Sequence, residues 1–227
     1  MESQIDVAEG GGRVSAILLR PDDAWLLYVV AHGAGAGMRH PFLESVCAAL
    51  AERGIATLRY QFPYMELGKK RPDSPAILEA SVRAAVLKGH ELVPHLPLIA
   101  GGKSLGGRMT SEAAASGLLA DVDGLVFLGF PLHAPGKPAT SRADHLGKVD
   151  LPLLFLQGSR DDFARLDLIT DVCEELGSNA TLHVVEDADH SFAVPKRSGR
   201  NRDDIIGELT QTIAEWVRGR VQRPVSA

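Results

Sequence analysis

Ser104 lies in Ile99-Ala100-Gly101-Gly102-Lys103-Ser104-Leu105-Gly106-Gly107-Arg108, where an apolar run enters G-x-S-x-G and continues into a helical pattern. A serine on such a sharp strand-to-helix turn has a strained backbone, and glycines two residues before and two after let neighbouring segments approach. Gly102 and Gly106 fill those positions. The turn is expected to lift Ser104 Oγ above a sheet and to set the first amides of the next helix beside any anion formed there. The Leu105 amide is therefore a candidate oxyanion donor. Gly102-Lys103-Ser104 also matches the end of a phosphate-binding loop, but that motif needs a glycine five positions earlier, where the chain has Pro97. Attack on an acyl carbon is the chemistry that fits.

A serine hydroxyl is a weak nucleophile, so it needs a histidine base and an acid that fixes the base's tautomer. Leu153 to Gly158 is an apolar run ending in a turn, followed by Ser159-Arg160-Asp161-Asp162. Asp161 is the expected acid and Asp162 the alternative, since a loop can present either neighbour. The next run, Thr181 to Val185, leads to Asp187-Ala188-Asp189-His190, which makes His190 the expected base. Ser104, Asp161 and His190 follow the Ser, Asp, His order of the α/β-hydrolase fold, each after its own strand. An ordinary imidazole titrates at about 6.5, so activity is expected to rise with pH through about 6 to 7.

The second glycine-rich segment, His32-Gly33-Ala34-Gly35-Ala36-Gly37, follows the third strand and suits a loop whose backbone approaches substrate. Ala34 is the expected second oxyanion donor and Gly35 the alternative, while His32 is expected to hydrogen-bond within the loop. Phe62, Tyr64 and Met65 follow the fourth strand as candidate walls of an acyl pocket, although core packing explains them equally. The other histidines, His40, His90, His95, His133, His145 and His183, form no metal-binding spacing with carboxylates or thiols, so neither metal nor other cofactor is expected. His133 and His145 flank a connection that can overhang the site, with a solvated loop as the default.

Short apolar runs alternating with helical patterns predict parallel strands joined by crossover helices. The strands are expected at residues 4–8, 14–20, 25–31, 55–60, 96–100, 124–130, 153–157 and 181–185. The helices are expected at 41–53, 75–93, 106–116, 165–176 and 203–218. The first two strands, joined by Gly10-Gly11-Gly12, read as an edge hairpin, and the later ones are apolar on both faces. The fold class is thus α/β, a mostly parallel sheet with helices on both faces. Only residues 131–150 separate the sixth and seventh strands, which leaves no room for a substantial cap. Residues 1–218 read as one domain and 219–227 as a loose tail.

Composition agrees. Of 227 residues, 45% are apolar and 23% charged, values of an ordinary globular protein. Twenty-four basic against 29 acidic residues give a net charge of −5, which repels a phosphate backbone and argues against nucleic-acid binding. The one basic cluster, Lys69-Lys70-Arg71, sits among turn residues and reads as solvated. Cys47 and Cys173 fall inside helical patterns and read as buried thiols in a reducing compartment, hence the cytoplasm. The N-terminus resembles no secretion signal, and the longest apolar run is too short to span a bilayer. Neither export nor a membrane partner is expected.

With these motifs the chain resembles the small, lidless α/β-hydrolases of the dienelactone-hydrolase-like type. It is most similar to the branch related to the testis-expressed hydrolase-like proteins and the non-specific-lethal chromatin-complex subunit. The likeness spans nearly the whole chain and includes Phe62-Pro63-Tyr64-Met65, Gly68-Lys69-Lys70, Pro72-Asp73 and Gln157-Gly158-Ser159-Arg160-Asp161. It implies esterase-like chemistry. Dienelactone hydrolases proper use a cysteine nucleophile where this chain has Ser104, so their cyclic substrate is not implied. The expectation is hydrolysis of small or short-chain carboxylic esters through an acyl-enzyme. Two alternatives stand beside it: a thioesterase or peptidase with the same triad, and a catalytically silent interaction module.

Overall fold

The computed structural model describes residues 1–220. The expected hairpin is β1 (Glu2–Val7) and β2 (Gly12–Leu19), paired antiparallel. It is followed by β3 (Leu26–Ala31), β4 (Ile55–Tyr60), β5 (Leu98–Lys103), β6 (Gly124–Leu128), β7 (Leu153–Gly158) and β8 (Ala180–Val185). The eight strands form one sheet in the order β1-β2-β4-β3-β5-β6-β7-β8. β2 meets β4 antiparallel, and every pairing from β4 to β8 is parallel.

The helices are α1 (Pro41–Ala51), α2 (Pro63–Glu66), α3 (Pro75–Leu92), α4 (Leu105–Ala115), α5 (Leu166–Leu176) and α6 (Arg202–Arg220). Along β3, Leu27, Val29 and Ala31 belong to the apolar cluster shared with α3, α4 and α5, while Leu26, Tyr28 and Val30 join the cluster shared with α1 and α6. Both faces of the central strands are thus buried, which is why they read as unbroken apolar runs. Trp216 packs in the second cluster, as its spacing predicts, with its indole N–H donated to Thr181 Oγ1 (3.2 Å). Cys47 in α1 and Cys173 in α5 are buried free thiols, and Lys69, Lys70 and Arg71 are exposed. Among the described residues no helix is long and apolar enough to cross a membrane.

Several elements differ from expectation in their bounds, and one was not expected at all. β5 starts after Pro97, which has no amide to donate, and runs on through Gly101, Gly102 and Lys103, because pairing with β3 and β6 overrides the poor strand propensity of glycine. β6 stops at Leu128. α2 is unexpected: Pro63 starts it, and Asp73 accepts the Tyr64 amide (2.7 Å) across the loop. α6 continues through Arg220, whose guanidinium donates to Ser178 O (2.8 Å), so 219–220 are helical and the remainder of the expected tail lies outside the described residues. Between β6 and β7 the chain makes two short 3₁₀ turns, Ser141–Ala143 and Leu146–Lys148, and is held down by buried Leu132, Leu146 and Val149.

Candidate active site

The carboxyl ends of β5, β7 and β8 bring three predicted residues together. Ser104 sits between β5 and α4 at φ 51°, a conformation side chains rarely adopt, and its amide donates to Leu128 O on β6 (3.2 Å). The glycines that permit the turn do so by contact. A Cβ on Gly102 would stand 2.2 Å from Ala31 O, and one on Gly106 would stand 2.7 Å from the same residue. β3 therefore presses directly on both sides of the nucleophile turn, which no larger residue would allow.

Ser104 Oγ lies 2.9 Å from His190 Nε2, and His190 Nδ1 lies 2.7 Å from Asp161 Oδ2. Since a carboxylate only accepts, Nδ1 carries the proton, and Nε2 is left to accept the serine O–H. The Asp161 side chain is fully buried and His190 is 18% exposed. Asp162 points outward, so the alternative acid is discarded. Asp161 is held from two further directions. Gln157 Nε2 donates to Oδ2 (2.5 Å) and the Phe163 amide to Oδ1 (2.7 Å). Gln157 in turn accepts the Phe130 amide at its Oε1 (2.9 Å), which locks its amide orientation. The Phe163 ring lies against the imidazole, with centroids 4.3 Å apart. Sequence reasoning assigned no role to Gln157 or Phe163; the signal for Gln157 was a polar residue closing the run Leu153-Leu154-Phe155-Leu156, where only a partnered side chain is tolerated.

The first hydrogen bond inside α4 runs from Arg108 N–H to Ser104 O (3.1 Å), so the Leu105 amide precedes the helix ladder and faces the positive end of the helix dipole. Across from it, a Cβ on Gly33 would be 3.6 Å from Ser104 Cβ, which places the His32–Gly37 loop against the nucleophile. The Gly35 amide is engaged by Tyr64 Oη (3.1 Å), and Ala34 beside it is exposed at the loop tip.

His32 fastens this loop. It is fully buried, accepts the Phe62 amide at Nε2 (3.1 Å), and through Nδ1 meets Gly33 O (2.8 Å), so it is a fixed neutral tautomer with no part in proton transfer. Burial pushes its pKa from 6.5 down to about 4. The unfolded chain then binds the extra proton first, so this contribution to stability is complete above pH 6.5 and is lost as pH falls toward 4. The loss amounts to about 3 kcal/mol. Urea denaturation at pH 7 and at pH 4.5 should show it, and His32→Asn should remove much of the difference.

The pocket assignment of Phe62 and Tyr64 is corrected. Both are fully buried, Phe62 edge-on to the His32 ring (4.9 Å between centroids), and they brace the loop instead of lining a cavity. Their place directly after β4 suggests a pocket wall in sequence, but at the start of α2 both rings turn inward. Met65 is half-buried and lines a groove of about 380 Å³ with Ala36, Gly37 and Gln61. The default reading of His133 and His145 as solvated is corrected too. His133 is buried and accepts the Arg165 amide (2.9 Å), and His145 pairs with Ser111 Oγ (2.7 Å), so both tie the β6–β7 connection to the core.

Solved structures share this architecture. A dienelactone hydrolase from Anabaena variabilis superposes with a TM-score of 0.74 at 22% identity over 97% of this chain and 98% of the other. A lidless α/β serine hydrolase from Xanthomonas campestris gives 0.73 at 21% identity over 95% and 94%. Est1E from Butyrivibrio proteoclasticus, solved with ferulic acid bound, gives 0.71 at 15% identity over 97% and 100%. At these identities the likeness speaks for the fold. The model of the alpha/beta hydrolase domain family matches residues 24–218, a stretch containing the nucleophile turn, both loops and all three converging side chains, and the chain belongs to that family.

Proposed function

We propose that this protein is a serine hydrolase that cleaves small or short-chain carboxylic esters, with Ser104, His190 and Asp161 as its catalytic residues. The observation that carries the proposal is the continuous line Asp161–His190–Ser104, with links of 2.7 and 2.9 Å, ending on a serine at φ 51°. Ser104 Oγ attacks the ester carbonyl while His190 Nε2 takes its proton. The Leu105 and Ala34 amides hold the oxyanion. His190 returns the proton to the departing alcohol, and a water activated by the same imidazole then releases the acid. Asp161 keeps Nδ1 protonated and offsets the charge of the imidazolium.

A short acyl chain is favoured by the low β6–β7 connection and by the modest groove at Met65. Esterases among the similar solved structures support the same class of substrate. The motifs around Phe62-Pro63-Tyr64-Met65 and Gln157-Gly158-Ser159-Arg160-Asp161 support the branch related to the testis-expressed hydrolase-like proteins, and two free buried thiols support a cytoplasmic site of action.

The test is a matched panel of p-nitrophenyl esters of rising chain length, with the corresponding thioester and anilide, on wild type and Asp161→Asn. The acetate and butyrate esters should be cleaved fastest. A higher kcat/KM on the matched thioester or anilide would overturn the ester assignment. Asp161→Asn offers Nδ1 an N–H in place of an acceptor, so Nε2 gains the proton and cannot take the serine's. Activity should fall by about 10⁴-fold with the fold intact.

A further inference from the structure

Lys103, immediately before the nucleophile, is unused by the mechanism above. The residue as a whole is half-buried, but its Nζ is shut away from solvent and has no hydrogen-bond partner. A charge in that state costs free energy unless other charges stabilise it. Its surroundings supply them. A Cβ placed on Gly129, which adopts φ 69°, would stand 3.0 Å from Lys103 Nζ and 3.5 Å from both Asp161 Oδ2 and His190 Nδ1. The ammonium is therefore within about 6.5 Å of each member of that pair, the sum of the two distances, yet bonded to neither. Its other neighbour is the Phe192 ring, 5.5 Å away at the centroid. Burial lowers its pKa from 10.5 to about 8, with Asp161 and Asp189 acting the other way.

The charges around the cluster can be named. The loop after β7 brings Asp161, with Asp162 turned outward. The loop after β8 brings Asp189, whose Oδ1 accepts the Ser191 and Ala193 amides. α4 brings Arg108, paired with Glu112 at 2.7 Å. The glycine-rich loop brings only neutral His32. Lys103 thus carries a positive charge within about 6.5 Å of the Asp161–His190 bond, the sum of the two distances to a Cβ on Gly129, where the imidazolium forms when Ser104 gives up its proton.

We propose that Lys103 is a positioning residue of the triad: its ammonium, wedged against Gly129 beside Asp161 and His190, opposes the positive charge that His190 takes up when Ser104 gives up its proton. The inference rests on the triad reading for its catalytic meaning, but the coupling itself is a property of the folded chain. Across about 6.5 Å the coupling is worth about half a pH unit in a water-like medium and about two at an effective dielectric of about 20.

The experiment follows the His190 ring by NMR from pH 4 to 10 in wild type, Lys103→Met and Lys103→Arg, with the rate of fluorophosphonate labelling measured on the same samples. Lys103→Met should move the ring midpoint and the acid limb of labelling upward by about half to two pH units. It should also abolish a second rise in wild-type labelling near pH 8, where Lys103 loses its proton. Lys103→Arg, charged throughout, should keep the wild-type midpoint and lack that second rise. An unchanged midpoint in folded Lys103→Met overturns the proposal, because a purely packing role leaves it in place. If Lys103→Met does not fold, Lys103→Gln, also uncharged, takes its place in the same comparison, and an unchanged ring midpoint there is equally fatal. A wild type that is never labelled sinks the hydrolase reading, whereas the ring titration still decides the role of Lys103.

Discussion

Ser104→Ala should give a folded protein that takes up no fluorophosphonate and hydrolyses esters about 10⁵- to 10⁶-fold more slowly than wild type. Removing Oγ removes the attacking atom, and what remains is the polarisation of the substrate carbonyl by the oxyanion amides, worth about 10³- to 10⁴-fold over water. The substitution keeps Cβ, so the backbone at φ 51° and the close contacts of Gly102 and Gly106 with Ala31 are unaltered. The one bond lost is to His190 Nε2, on the solvent side of the ring. Stability in urea should stay within about 1 kcal/mol of wild type. Retained turnover in a folded Ser104→Ala protein would mean that another group is the nucleophile.

His190→Ala should cost a similar factor for a different reason. Ser104 keeps its hydroxyl and the oxyanion donors stay in place, but nothing takes the proton, so labelling slows by about 10³-fold or more instead of vanishing. Asp161 remains satisfied in this variant by Gln157 Nε2 and the Phe163 amide. The buried carboxylate is thus not stranded, and the fold should survive. The residual rate should lose the rise between about pH 6 and 7 expected of a neutral imidazole base. A stopped-flow pH series on both proteins reads this directly. Partial recovery with added imidazole would show that the defect is the missing base.

The two variants separate roles that the sequence already divides. All eight strands and five of the six helices follow from apolar runs, helical spacing and turn residues, and the meeting of Ser104, Asp161 and His190 follows from their places after successive strands. The features that escaped sequence reasoning depend on contacts between distant segments. α2 has only four residues, too few to show a period, and is held by Asp73. Phe62 and Tyr64 look like pocket residues because nothing local tells an aromatic turned into the core from one turned outward. The Tyr64 hydroxyl takes up the Gly35 amide through a contact 29 residues away in sequence. The choice of Asp161 over Asp162 depends on which carboxylate the turn after Gly158 points inward, and its partners Gln157 and Phe163 are visible only once β7 and that turn are folded. Lys103 is the clearest case. In sequence it is the unspecified position of G-x-S-x-G, and only the folded chain places its ammonium near Asp161 and His190.

Whether His190 and Asp161 activate Ser104 decides the proposed function. It is read by intact mass after exposure of the wild-type protein to a fluorophosphonate, followed by peptide mapping. The predicted result is one adduct per chain, on Ser104, absent from Ser104→Ala and greatly slowed in His190→Ala. A folded wild-type protein that stays unmodified, or that carries its adduct on another residue, contradicts it.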